Sequence, residues 1–313
     1  SKIGIGKLVA RSIQEAYWKT AELDGQSLIF RCPGEPYNMH AAKEMANLSF
    51  IRLDPLTSEE TKVYSKLKST KETKRGIYVY CTGMLSGNID GGPDYHPTSK
   101  EWFYNEIAPA VDGDFKIFSV EAIRGNYCTF KTKIGDVGGK YNAWKPNYTH
   151  EPDWLDPLEN FCNVCHEHDL EIFAAMRMIG GQYPTSYYPI SWQRYFWENV
   201  HLCKVTKDGY PTTSLSIAYP QVCDHWLDLL KEAITYDIDG IAVYLHRFCP
   251  FVLYEEPVVK SFIKEYGIDP RELDERDQIY LKHCAHYVTD FLRQVKELTL
   301  KKKIKLAVSF FGV

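Results

Sequence analysis

Apolar runs that stop abruptly on charged residues mark the places where this chain can do chemistry. The run Ile238–Leu245 ends in His246 and Arg247, and the loop behind it carries Tyr254, Glu255 and Glu256. Glu171-Ile-Phe-Ala-Ala-Met ends in Arg177, and the run Lys116–Val120 ends in Glu121. A pair of carboxyl groups facing across a cavity can divide acid and base work. One donates a proton to a leaving group; the other acts as nucleophile or activates water. The acid needs a raised pKa, which burial against aromatic rings supplies. Glu255 and Glu256, next to Phe251 and Tyr254, have such neighbours in sequence. Glu121 or Asp94 is the candidate partner. Arg177, His246 and Arg247 are placed to orient carboxylates or bind sugar hydroxyls.

Other loops add binding groups. Thr82–Pro97 carries Asp90, Asp94, Tyr95 and His96 among glycines, and Tyr141–Glu151 carries Trp144 and Tyr148. Tyr and Trp are abundant, at 22 and 7. Their faces stack on the C–H faces of pyranose rings while their polar tips reach hydroxyls; a large core with aromatic-lined loops accounts for the same composition. Cys162-Asn-Val-Cys165-His166 has the C-x-x-C-H spacing of haem attachment. Its cysteines fall on the apolar stripe of an expected helix, which favours packing over a metal or haem. Gly4-Ile-Gly6-Lys7 completes neither a P-loop nor a dinucleotide fingerprint.

These groups need a scaffold, and its alternation is visible. Strands are expected at Ile77–Cys81, Lys116–Val120, Glu171–Met176, Ile238–Leu245 and Ile304–Phe310. Helical spacing predicts helices over Trp154–Asp169, Gln221–Tyr236, Pro257–Tyr266 (closed by Gly267) and Glu272–Leu300. Strand–helix alternation implies a parallel sheet. A doubly wound sheet and a barrel both fit it. The lack of a glycine-rich phosphate turn after any strand and the long aromatic loops favour the barrel. The expectation is an α/β fold, a (β/α)8 TIM-type barrel over 76–313 truncated to about its first five units. A small β-rich accessory region and linker, 1–75, precedes it, with strand-like segments Leu28–Phe30 and Leu48–Leu53 and a helix from Thr57 or Ser58.

Composition excludes several classes. With 37 basic and 41 acidic residues, the net charge of −4 gives no electrostatic case for nucleic acid or anionic membrane. No apolar stretch reaches the ~18–20 residues of a membrane span. Nine cysteines among 313 residues are too sparse for a disulfide scaffold and read as reduced and mostly buried, hence cytoplasmic. The chain starts at Ser1, so a removed leader stays open. Oligomeric state is not legible, and no cofactor is expected.

Asp239-Gly-Ile through Arg247, then Pro-Phe-Val-Leu-Tyr-Glu-Glu-Pro, then Tyr266-Gly-Ile-Asp-Pro-Arg271, resembles the glycoside-hydrolase-like family 10 proteins. The Glu171–Met178 phrase is similar to theirs too, and the resemblance covers about residues 150–312. It implies a (β/α)8 barrel acting on oligo- or polysaccharide. Related barrels place an Asp where this chain has Tyr244, so that carboxylate's role does not carry over. The alternatives are a non-catalytic carbohydrate-binding barrel, and a metal-dependent hydrolase using His246 with His96, His150 or Asp94.

Overall fold

The computed structural model describes residues 20, 24–25, 51–69, 76–80, 99–113, 115–137, 156–178, 194–245 and 250–310. The chain divides into two compact units, Ser1–Lys74 and Arg75–Val313. In the first, α1 (Ser58–Ser69) begins with a reciprocal cap. The Glu60 amide donates to Thr57 Oγ1 at 3.2 Å and the Thr57 amide to Glu60 Oε2 at 2.8 Å. The expected strand at Leu48–Leu53 is irregular over its described residues, 51–53, and Leu28–Phe30 lies outside the described residues.

The second unit runs β1 (Ile77–Tyr80), α2 (Lys100–Asp112), β2 (Ile117–Arg124), β3 (Tyr127–Cys128), β4 (Asp136–Val137), α3 (Pro157–Glu167) and β5 (Glu171–Arg177). It continues through α4 (Arg194–Glu198), the hairpin β6 (Cys203–Val205) and β7 (Pro211–Leu215), α5 (Pro220–Ala233) and β8 (Gly240–Tyr244). It closes with α6 (Glu256–Tyr266), α7 (Gln278–Lys302) and β9 (Lys305–Ser309).

Strands β1, β2, β5, β8 and β9 lie side by side in chain order, and every neighbouring pair is parallel. The order never doubles back, whereas a doubly wound sheet reverses at a switch point. Among the described residues, helices cover one face only. Phe118, Val120, Ile172, Ala174, Met176, Ile241 and Val243 form one core with residues of α2, α3, α5, α6 and α7. The opposite face carries a small separate cluster, Phe173, Ala175, Ala242 and Tyr244, with no helix residue in it. One-sided winding with a helical outer layer is the wall of a barrel. The fold is a partial (β/α) TIM-type barrel.

Local chemistry sets the elements. The Asp156 carboxylate accepts from the Leu158 and Glu159 amides and caps α3. Gly267 takes φ +72° and ends α6. The last long helix starts at Gln278 instead of Glu272, because Asp269 caps a separate 3-10 turn, Pro270–Glu272, and Asp277 caps α7. The sequence reading missed α2, β3, β4, α4 and the β6–β7 hairpin. In α2, Phe103, Ile107 and Ala110 are buried at helical spacing, but Pro109 within the helix reads as a breaker.

The Asp239-Gly240-Ile241 phrase builds the N-terminal floor of the wall. Asp239 Oδ2 accepts from the Ile172 amide at 2.8 Å and pairs with His166 Nε2 at 2.9 Å. A Cβ on Gly240 would meet the Phe173 ring at 2.6 Å, so only glycine lets that ring lie across β8. His166 is thereby committed to Asp239, while Cys162 and Cys165 are buried in the core, with burial pushing the Cys162 thiol up to about 12. The C-x-x-C-H spacing is a packing pattern.

Candidate active site at the C-terminal rim

Inward-facing positions near the C-terminal ends of β2, β5 and β8 are where a barrel keeps its reacting groups. β2 supplies Ser119 and Glu121, β5 supplies Arg177, and β8 supplies Tyr244. Arg177 Nη2 lies 2.8 Å from Glu121 Oε2, and the two side chains are 6% and 0% exposed. At such depth a charge needs compensation, and these two charges compensate each other. Below it, the Tyr244 hydroxyl and Ser119 Oγ share a hydrogen bond of 2.6 Å, and both residues are buried.

The strand carrying Glu121 is irregular at this point. Pairing with β5 runs in step up to Glu121–Ala175, then slips so that Ile123 faces Met176 and Arg124 faces Arg177. This is a β-bulge at Ala122. Ile123 is consequently 1% exposed within the helix-side core, and Arg124 comes to the same face as Glu121. Arg124 Nε lies 3.9 Å from Glu121 Oε1 with its side chain 23% exposed. The expected strand stopped at Val120, before the bulge, which left Arg124 in the segment behind Glu121 with no role. The β-branched Ile123, two residues past Glu121, was the available signal that the strand continues.

Tyr254 and Glu255 belong to a different neighbourhood. The Tyr254 ring stacks on Tyr280 of α7 at 4.8 Å, and its amide donates to Val205 O of the hairpin. Glu255 is 0% exposed, and its Oε2 accepts from the Leu253 amide at 2.6 Å. Burial raises its carboxyl above the usual range, with contacts from Ser216 and the loop backbone opposing the rise. Its charged and phenolic surroundings come from the hairpin and helices: Lys204, Tyr219, Tyr280 and Tyr287. Glu256 faces solvent and is held below the ordinary carboxyl value by Lys260, one turn on. The structure thus brings Glu121 and Arg177 together, and sets Tyr254 and Glu255 against the hairpin and α7. Asp94, Trp144, Tyr148, His246 and Arg247, with His96 and His150, lie outside the described residues. Among the described residues no group of His, Cys, Asp or Glu is arranged to hold a metal ion, and no helix is long and apolar enough to cross a membrane.

No protein family's sequence pattern matches the chain, and no curated protein matches it. Solved structures do. An α-L-fucosidase isoenzyme from Paenibacillus thiaminolyticus is 13% identical, with 76% of this chain and 32% of that one covered and a TM-score of 0.49. An exo-β-N-acetylglucosaminidase from Vibrio harveyi is 11% identical, covering 75% and 35%, with a TM-score of 0.42. A β-galactosidase from the psychrophilic Marinomonas ef1 is 9% identical, covering 75% and 37%, with a TM-score of 0.44. These neighbours are glycoside hydrolases, and the chain spans about a third of their length. Likenesses at this level decide no chemistry.

Proposed function

We propose that Arg75–Val313 carries the substrate-binding rim of a glycoside hydrolase of the kind the sequence resembles, with Glu121 as a reacting carboxylate. The observation that supports this is the Glu121–Arg177 pair, sunk on the inner face at the C-terminal ends of adjacent parallel strands. A carboxylate fixed by a guanidinium suits the nucleophile or the base, the partner of the proton donor in a two-carboxylate reaction. Arg177 positions it. Burial gives Glu255 the raised carboxyl that a proton donor needs, but its bond to its own loop equally suits a residue that holds the β8–α6 connection against the hairpin.

The test is release of reducing sugar from polysaccharides and of nitrophenol from a panel of nitrophenyl glycosides. On a confirmed substrate, Glu121→Gln is expected to lower kcat by about 10²–10⁴-fold when assayed at a temperature where circular dichroism shows the variant folded. Full turnover by that variant removes Glu121 from the reaction. Glu255→Gln separates the two roles for that residue: a loss of kcat at unchanged stability marks a donor, and a loss of stability alone marks a loop anchor.

One observation favours a second reading, a barrel that binds carbohydrate without cleaving it. Tyr244 stands where related barrels carry an Asp, and its hydroxyl is engaged by Ser119. Saturable sugar binding with no product after prolonged incubation would establish this second reading over the first.

A further inference from the structure

Among the described residues, the inward-facing charges at the C-terminal ends of the strands do not balance: Glu121 contributes one negative charge, and Arg177 and Arg124 contribute one positive charge each. Arg177 compensates Glu121 at 2.8 Å and is almost wholly buried. Arg124 is farther away, at 3.9 Å, and keeps 23% of its side chain exposed. The bulge at Ala122 is what brings it there; with regular alternation, residues 121 and 124 would face opposite sides of the sheet. The other groups around it are Tyr127, its antiparallel partner on β3, and Arg177 opposite on β5. Tyr127 is neutral, its phenol pushed up by burial, so it does not neutralise the guanidinium. Among the described residues, then, the rim offers one solvent-reaching guanidinium whose nearest carboxylate is already held by another.

Resting on the sugar-site reading above, we propose that Arg124 selects an anionic substituent on the glycan, a hexuronate carboxylate or a sulfate ester. A guanidinium offers a planar fork of donors that matches such groups with two parallel hydrogen bonds. Arg177 keeps Glu121 from repelling the arriving anion. The neutral hydroxymethyl group of an ordinary hexose offers Arg124 no charge to pair with, so the preference is for acidic over neutral sugar of the same stereochemistry.

The experiment is calorimetric or NMR binding to the full chain of methyl glycoside pairs, neutral hexose against hexuronate, in the gluco, galacto and manno series, with the hexose 6-sulfates as a further arm. The acidic member of at least one pair is expected to bind about tenfold or more tightly, the scale of a hydrogen bond to a charged group. High salt should shrink that difference. Arg124→Gln should abolish the preference, and Arg124→Lys should keep part of it. A hexuronate preference without a sulfate preference identifies the carboxylate; both together identify anionic charge in general. Equal binding of acidic and neutral sugars, or a preference that survives Arg124→Gln, overturns the inference and leaves the sugar site standing. Binding of no sugar in any series overturns both.

Discussion

At the scale of single residues, the buried charges govern what the chain tolerates. Arg177→Met strips Glu121, at 0% exposure, of its 2.8 Å partner, and removing one partner of such a pair costs about 3–5 kcal/mol. Urea denaturation of the variant is expected to show that loss, whereas Arg177→Met with Glu121→Leu should recover most of it. Glu255 has a pH signature. Its folded-state pKa is raised by burial, so its contribution to stability is complete below the unfolded value of 4.5 and fades as pH climbs through the raised value. Wild-type stability should therefore fall with rising pH on the alkaline side of 4.5 more than that of Glu255→Gln, and parallel pH profiles for the two would contradict this. His225 behaves oppositely: burial lowers it to about 4, and as a neutral ring it hydrogen-bonds Asn126 at 2.6 Å and stacks on Tyr195 at 3.6 Å. It ties α5 and α4 to the turn that follows Arg124.

At the scale of elements, Gly240→Ala is the sharpest probe, because its methyl group must displace the Phe173 ring. Overpacking of this kind costs about 1–3 kcal/mol, measurable by denaturant midpoint. The main strands were legible because buried parallel strands read as uninterrupted apolar runs with polar stops. The bulge in β2 was not, since a one-residue slip in pairing leaves no mark on composition. The motif blocks are instructive in another way. Asp239 and Gly240 build the floor, and Asp269 with Arg271 closes a capped turn through an ion pair of 2.6 Å. Those two blocks thus account for folding, whereas Arg177 and Glu255, in other parts of the resemblance, belong to the candidate chemistry. The polar link between α6 and α7 also had no sequence signal: Ser261 Oγ lies 2.8 Å from His283 Nε2, and His283 Nδ1 lies 3.1 Å from Glu265. Those partners are brought together only by the packing of the two helices.

At the scale of the whole molecule, β1 and β9 each pair on one side only among the described residues. In β9, Leu306, Ala307 and Val308 are half-buried between exposed Lys305 and Ser309. An uncovered strand edge with apolar neighbours templates pairing with another chain. The 313-residue chain is therefore expected to self-associate with rising concentration in sedimentation experiments, and Val308→Lys to suppress it. Concentration-independent sedimentation of the unsubstituted chain would refute this. The slip at Ala122 reaches further than its size suggests. Excising that alanine would invert the sidedness of everything from Ile123 onward, driving a guanidinium into oily surroundings and an isoleucine into the mouth. Substitutions along this stretch are graded perturbations; a deletion is a change of polarity for the whole entrance. Mutational libraries aimed at new specificity should accordingly vary identity there and hold length fixed.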